Sequence, residues 1–386
     1  MVVNTPLHNI LIIHLSIMSK ARVIAFYLPQ YHPTNNNNKW WGNGFTEWTN
    51  VAKAKKMYPG HYQPKIPADL GFYDLRMPQV YEQQAQLARE AGVEGFCYYH
   101  YWFSANHQEL DLPFRNIVEA KTPDFPFCLC WANESWYSKF WNKDGSASKQ
   151  LLAEQQYLGA DDNETHFYAL LDAFKDERYM KVDGRLLFLI YNPFTFEKFE
   201  DFKTQWNNLA IENGLPEFYF VAQTLYAERV DEILAIGYDG VNHCHRLDNI
   251  TRYKFLRRVL NVVKRVVKIP FIIPYKTAIK NVLDSQDYKN NVFPTMMPNW
   301  DHTPRSNDGG SVLHNSTPEL FRKHAKDILR TIIDKPQSHK IVFLKSWNEW
   351  GEGNYMEPDL KYGKGYIKAL HDVVLDYDKY PPPRNR

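Results

Sequence analysis

Cysteine is scarce in this chain: four residues in 386, with no C-x-x-C pair, so neither a disulfide-stapled scaffold nor a cysteine zinc ribbon is expected. Cys97, Cys128, Cys130 and Cys244 all fall within apolar, strand-like runs and read as buried thiols of a reducing compartment. An excess of one charge is missing too. The 46 basic and 44 acidic residues leave a formal net charge of +2, without a Lys- or Arg-rich tail, and no nucleic-acid partner is expected. No apolar run approaches the roughly 20 residues that span a bilayer. The stretch LIIHLSI lies within residues 1–20 but has no basic n-region and no small-residue cleavage site. Those residues therefore read as an N-terminal extension outside the fold rather than a secretory signal, and a cytoplasmic protein is expected.

Several catalytic signatures are also lacking. LPQYHPTNNNN, after the first apolar run, holds no G-x-G-x-x-G, and the chain has no G-x-S-x-G elbow, no H-E-x-x-H and no D-x-D pair at a strand end. His243, Cys244 and His245 invite a metal reading, but a zinc site needs three or four convergent ligands, and the local sequence offers no such set. No metal and no cofactor are expected.

Aromatic residues, by contrast, are abundant: 11 Trp, 25 Tyr and 23 Phe. Many lie beside polar groups, which suits ligands that have both apolar faces and hydroxyls. Eight β-rich runs begin at Arg22, Glu94, Phe125, Arg185, Phe218, Tyr238, Val292 and Lys340, and helical patterns separate them. MPQVYEQQAQLAREAG stops at Gly92, and TPELFRKHAKDILRTIID opens with Thr317 and Pro318. Near-continuous apolar strands alternating with helices imply a parallel sheet covered on its outer side. The expected fold is an α/β class (β/α)8 TIM barrel over residues 21–386, one domain with loop insertions at its C-terminal face. A doubly wound open sheet is the competitor.

In a barrel of this kind the chemistry sits at and beyond the carboxyl ends of the strands. Those ends carry Tyr27; Tyr99, His100, Tyr101 and Trp102; Trp131, Asn133 and Glu134; Asn192; Gln223; Trp300 and Asp301; then Trp347 and Asn348. The loop WWGNGFTEW adds Trp41 and Glu47 as parts of a lid. Together they are substrate-binding candidates for a carbohydrate, with rings packing on sugar faces and amides and carboxylates gripping hydroxyls.

SWNEWGEGNYMEPD, from Ser346, holds three carboxylates, Glu349, Glu352 and Glu357. A period of two places Phe343, Lys345, Trp347 and Glu349 on one side of the last strand, and Gly351 and Gly353 permit a turn that brings Glu352 near Glu349. Two acids in an aromatic, partly dry site have their proton affinities split, so that one can donate a proton while the other accepts one. Cleavage of a glycosidic bond uses such a pair. Glu349 and Glu352 are the catalytic candidates, and Glu357 joins the binding group. Arg305, in NWDHTPR, is expected to be a salt-bridge partner.

These residues also carry a resemblance. VIAFYLPQYHP, WWGNGFTEWTNV, GHYQPKIPADLGFYDLR, GFCYYHYW, FPFCLCWANESW and SWNEWGEGNYMEPD resemble segments of the WbsX-type, glycoside hydrolase family 99-like proteins of polysaccharide and O-antigen loci, over about Arg22 to Tyr366. The resemblance implies a (β/α)8 barrel acting on glycans, with the acid pair three residues apart at Glu349 and Glu352. It implies that Glu349 helps a sugar 2-hydroxyl attack the anomeric carbon and that Glu352 serves as general acid and then base. It favours a retaining, endo-type hydrolase of a bacterial polysaccharide or lipid-linked oligosaccharide with manno- or rhamno-type units. The middle residue here is Gly351, so the rest of the cleft need not match the mannosidases. Some family members are described as glycosyltransferases, which keeps that activity as the alternative. A catalytically silent glycan-binding barrel is the third reading.

RYKFLRRVLNVVKRVVK, residues 252–268, spaces Leu256, Val259, Leu260, Val263 and Val267 as one helix face, with four basic residues largely elsewhere. The segment is a candidate for peripheral docking on an anionic membrane, at the inner face for a cytoplasmic protein. The alternative is a helix packed on the barrel with a solvated basic side.

Overall fold

Each of the eight apolar runs forms a strand in the computed structural model, which describes residues 21–141, 147–245 and 268–379. The strands are β1 (Arg22–Tyr27), β2 (Gly95–Ser104), β3 (Phe127–Trp131), β4 (Arg185–Ile190), β5 (Phe218–Thr224), β6 (Gly240–His243), β7 (Val292–Met296) and β8 (Ile341–Leu344). Each pairs in parallel with its neighbours in chain order. β1 closes the sheet, Ile24 lying opposite Gly95 of β2 on one side and Phe343 of β8 on the other. The strands lack a polar face because both faces are covered: rings fill the inside, and helices pack outside.

Inside the barrel, Phe26 stacks on Phe343 at 5.2 Å and on Tyr99 at 5.4 Å. The outer layer includes α1 (Pro78–Ala91), α2 (Leu112–Ala120), α3 (Ala160–Ala169), α4 (Phe199–Glu212), α5 (Val230–Ala235), α6 (Pro318–Leu329) and α7 (Gly365–Leu375). Local chemistry sets their ends as expected. Gly92 caps α1 in the left-handed conformation, and the Thr317 side chain accepts from the Leu320 amide at the start of α6. Trp206 of α4 shows how this layer seals the wall, packing on Phe188 and Phe218 at 5.0 and 5.2 Å.

One register expectation needs correction. β8 ends at Leu344, and Asn348–Glu349 instead pairs antiparallel with Asn354–Tyr355. The period of two therefore does not run on from Lys345, and Trp347 packs on Phe96 on the helix side of the wall, 5.5 Å between rings. The N-terminal residues 1–20 and the basic segment 252–268, apart from Lys268, lie outside the described residues. Among the described residues, no helix is long and apolar enough to cross a membrane. All four cysteines are free and buried.

Candidate active site

Three loops beyond the carboxyl ends of β1, β7 and β8 build the centre of the barrel mouth. The first supplies Glu47, the opening residue of a helix Glu47–Lys53. The second supplies Trp300, His302 and, on the short helix Thr303–Ser306, Arg305. The third supplies Glu349 and Glu352, separated by a single 3-10 turn over Trp350–Glu352.

Arg305 joins the three. Its Nη1 donates to Glu352 Oε1 at 2.6 Å and to Glu349 Oε1 at 3.2 Å, while its Nε donates to Glu47 Oε2 at 3.0 Å. Both catalytic candidates thus lie within reach of one nitrogen. His302 Nε2 stands 3.4 Å from Glu352 Oε1, and Trp300 stacks on the His302 ring at 5.8 Å. The Lys345 ammonium lies 5.8 Å from the centre of the Trp300 ring.

Two glycines make the approach possible. A β-carbon on Gly351 would collide with Glu47 Oε2, and Gly353 turns at a left-handed φ of 55° where a β-carbon would meet Lys65 Nζ at 2.6 Å. The Glu352 carbonyl also accepts from the Asp301 amide at 2.7 Å, tying the third loop to the second.

The charges do not balance in pairs. Glu47, Glu349 and Glu352 are three carboxylates, and the fixed cations beside them are Arg305 and Lys345. A buried site resists the residual negative charge, so one carboxyl tends to keep a proton. Burial and the neighbouring Glu352 raise the Glu349 pKa, and Arg305 and Lys345 only partly oppose this. For Glu352 burial acts in the same direction, but Arg305 and the His302 hydrogen bond overcome it and hold the carboxyl below its ordinary range. Burial works against the Lys345 ammonium too, yet Cys244, Tyr191 and the two glutamates keep its pKa raised. Their surroundings therefore push the two carboxyls in opposite directions, Glu349 up and Glu352 down, whereas the resemblance implies Glu352 as the proton donor.

Among the binding candidates, Glu47, Tyr99, Tyr101 and Trp300 surround this centre; the phenols of Tyr99 and Tyr101 feel the Glu349 charge. Glu134 is exposed on the rim, where it accepts from Asn192 Nδ2 at 2.9 Å. Trp41 is exposed on the lid, 5.9 Å from the Phe45 ring. Gln223 lies deeper, donating to Asn242 at 3.0 Å inside the barrel. Asp301 sits behind the mouth and holds His61 at 2.8 Å and Gln63 at 2.7 Å. It borders a recess open to solvent, whose walls include Tyr58, Tyr62, His314 and Tyr362.

The remaining candidates are directed elsewhere. Successive strand residues point to opposite faces, so Tyr99 and Tyr101 look inward while His100 and Trp102 look out. His100 meets His166 of α3 at 2.8 Å, and Trp102 donates to Asp162 of the same helix at 3.2 Å. Trp131 donates to the Trp102 carbonyl at 2.8 Å. Tyr27 donates to Gln84 of α1 at 2.7 Å.

Asn133 and Asn348 serve as backbone clamps. Asn133 bonds the amide and carbonyl of Asn192, both at 2.8 Å, and Asn348 bonds those of Leu28 at 2.8 and 3.0 Å. Glu357 is enclosed, accepting from Trp350 and Gln84 at 2.6 Å and from Tyr73 at 3.0 Å. These are positions in the scaffold rather than on the substrate side.

The central role of Arg305, together with His302, went unread in the sequence. The available signal was position: NWDHTPR follows β7 just as SWNEWGEG follows β8, so its polar residues had the same claim to the mouth.

Residues 23–370 match the family model described as Glycosyltransferase WbsX. The chain is 33% identical over 359 residues to the uncharacterized protein WxcX of two Xanthomonas campestris pv. campestris strains, ATCC 33913 and B100. That match covers 92% of this chain and 50% of WxcX, so the chain spans about half the length of the curated relatives it matches. Among solved structures, a glycoside hydrolase-like protein superposes with a TM-score of 0.57 at 14% identity, covering 93% of this chain and 95% of that one. A GH99 endo-alpha-mannosidase from Bacteroides thetaiotaomicron superposes with a TM-score of 0.52 at 13% identity, over 93% and 97% of the two chains. At such identities the likeness is one of fold.

Proposed function

The chain belongs to the WbsX family, and from that premise we propose that it is a glycan-active enzyme using Glu349 and Glu352 as its acid–base pair. The observation that carries this reading is the shared Arg305 contact, which brings two carboxyls of opposite proton affinity together beneath Tyr99, Tyr101 and Trp300 at the barrel mouth. Rings beside a carboxyl pair suit a pyranose, which offers an apolar face and a ring of hydroxyls.

The reaction is retaining, endo-type hydrolysis of a bacterial polysaccharide or lipid-linked oligosaccharide. Protonated Glu349 donates to the departing glycosidic oxygen. Ionised Glu352 draws the proton from the 2-hydroxyl of the sugar being cleaved, whose oxygen closes on the anomeric carbon as the bond to the leaving group breaks. Water then opens that ring at the anomeric carbon, giving a proton to Glu349 while Glu352 returns its proton to the 2-oxygen, so that both groups are restored and the anomeric configuration is unchanged. Such participation requires a 2-hydroxyl trans to the leaving group, as in α-manno or α-rhamno units. The family description favours a second reading, in which an acceptor sugar hydroxyl replaces water and the outcome is glycosyl transfer.

Incubation with defined manno- and rhamno-oligosaccharides, with and without nucleotide sugars, tests the proposal. Hydrolysis without a nucleotide, abolished in Glu352→Gln, supports the hydrolase; elongation that depends on a nucleotide sugar supports the transferase. Binding without turnover in either mixture overturns both. A glycosyl fluoride, whose leaving group needs no proton, separates the two carboxyls: Glu349→Gln retains activity on it and Glu352→Gln does not. The reverse result restores the assignment implied by the resemblance.

A further inference from the structure

The end of β6 carries a second polar cluster. His243 and His245 flank Cys244, and Asp287 reaches them from the turn Ser285–Tyr288 that leads into β7. All three are buried. His243 Nδ1 lies 2.8 Å from Asp287 Oδ1, and His245 Nε2 lies 2.9 Å from Asp287 Oδ2. The two imidazole centres are 4.2 Å apart, and one donor atom from each of the three residues falls within 4.8 Å of the others.

The hydrogen bonds of His245 call for positive charge at its Nε2. His245 Nδ1 faces the Thr295 carbonyl at 3.2 Å, and a carbonyl only accepts, so Nδ1 carries the hydrogen. In a neutral ring Nε2 then presents a lone pair to a carboxylate oxygen. Two acceptors at that separation repel each other unless a proton or a metal ion lies between them. The Thr295 contact is also the kind of outer-shell bond that fixes the tautomer of a metal-ligating histidine. The Asp284 amide holds Asp287 Oδ2 in the same way, at 2.8 Å. The nearby Lys335 amine donates to the Val292 carbonyl instead. His245 itself is held at a left-handed φ of 48°, a conformation that non-glycine residues keep where their surroundings impose it.

We propose that His243, His245 and Asp287 bind a divalent transition-metal ion of borderline softness, zinc being the best match to two imidazoles and a carboxylate. Metal–nitrogen bonds of about 2.0–2.1 Å place adjacent donors of a tetrahedral site roughly 3.3 Å apart, wider than the 2.8 and 2.9 Å contacts to Asp287 and inside the 4.8 Å spread of the set, so the three side chains adjust to admit the ion. Cys244 points the other way, into the barrel, with Sγ 3.1 Å from Asn242 Oδ1. The ion therefore sits on the outer side of the wall, where it pins the end of β6 to the turn before β7. The sequence reading set the two histidines aside because the third ligand lies more than forty positions downstream.

Full-length protein stripped with a chelator and reloaded with zinc is expected to bind one ion per chain and to unfold at a higher temperature. Anomalous diffraction at the zinc edge is expected to place the ion between the three side chains. Asp287→Asn keeps the size of the side chain, and it is expected to lose the bound ion and the thermal shift. No bound zinc in the reloaded wild type, or anomalous density elsewhere, overturns the proposal and leaves an imidazolium–aspartate pair. Should the variant fail to fold, the wild-type anomalous map alone decides.

Discussion

The carboxylate of Glu47 fills the space in which a side chain at Gly351 would begin: a β-carbon there would overlap Glu47 Oε2 and come within 3.0 Å of Arg305 Nε. The helix Glu47–Lys53 and the segment carrying Glu349 and Glu352 are thus fitted to each other through the absence of one methyl group. Gly351→Ala is expected to push Glu47 away from Arg305, at an overpacking cost of about 1–3 kcal/mol. Denaturant titration reads that cost, and kcat/KM is expected to fall about tenfold or more. A variant as stable and active as the wild type would mean that Glu47 is not seated against the acid pair.

Arg305 is the residue through which the three carboxylates communicate. Arg305→Met removes the charge but keeps much of the apolar stem, leaving Glu47, Glu349 and Glu352 to repel one another. Removing one partner of a buried pair costs about 3–5 kcal/mol. Arg305 is partly open to solvent, so a smaller loss, on the order of 2 kcal/mol, is expected. Glu352 should then titrate at a higher pH, and the acidic limb of the kcat/KM profile should move upward. An unmoved acidic limb would assign it to another group.

The proposed roles, Glu349 as proton donor and Glu352 as acceptor, set the sign of the expected pH dependence. Activity is expected to rise with pH as Glu352 loses its proton, below the ordinary carboxylate range. It is expected to fall again as Glu349 loses its own, above that range. The rate profile is then a broad bell with its optimum on the acidic side. Removing Lys345 as Lys345→Met takes away a cation that favours ionised Glu349, so the alkaline limb should shift upward.

The barrel was legible because most strands are apolar along nearly their whole length and alternate with helical patterns, as in a parallel sheet covered on both sides. The approach of Glu352 to Glu349 was legible because glycines flank Glu352 in the turn beyond the last strand. The facing of single residues was less so. Tyr101 and Trp102 carry the same aromatic signal, and only the pleat separates them, so reading a whole strand end as binding surface enlisted His100, Trp102 and Trp131 along with Tyr99 and Tyr101. Asn348 and Glu357 misled for a different reason. Their polar groups are consumed by Leu28, Trp350, Tyr73 and Gln84, partners remote in sequence for all but one of them. Arg305 was anticipated as a salt-bridge partner, but sequence spacing could not say that its partners would be the two catalytic candidates.

Glu357 gives a stability prediction in place of a kinetic one. Burial pushes its pKa up to about 7, against the lowering effect of its hydrogen bonds from Trp350, Gln84 and Tyr73. Because the folded state holds this proton more tightly than the unfolded chain, the associated stability is full below the unfolded value, roughly 4.3. It is lost as pH rises toward 7. Thermal unfolding should therefore occur at lower temperature at pH 8 than at pH 5. Glu357→Ala strands three buried donors at a cost of about 3 kcal/mol, and the variant should show a weaker pH slope. An equal slope in variant and wild type would locate the effect elsewhere.

Tyr101 and Trp102 offer the sharpest contrast between substrate face and scaffold, since they are adjacent in sequence and opposite in direction. Trp102 is fully buried, stacks on His166 at 4.3 Å and donates to Asp162. Trp102→Ala is expected to destabilise the fold by about 3–5 kcal/mol, with KM little changed in whatever fraction stays folded. Tyr101 is only partly buried, faces Glu349 and touches Trp136 at 5.0 Å on the open side. Tyr101→Leu keeps apolar bulk but loses the ring that would lie against a sugar, worth about 1 kcal/mol. KM should rise several-fold while the unfolding midpoint moves little. If the two variants exchanged these signatures, the inward face of β2 would not be the one that meets the glycan.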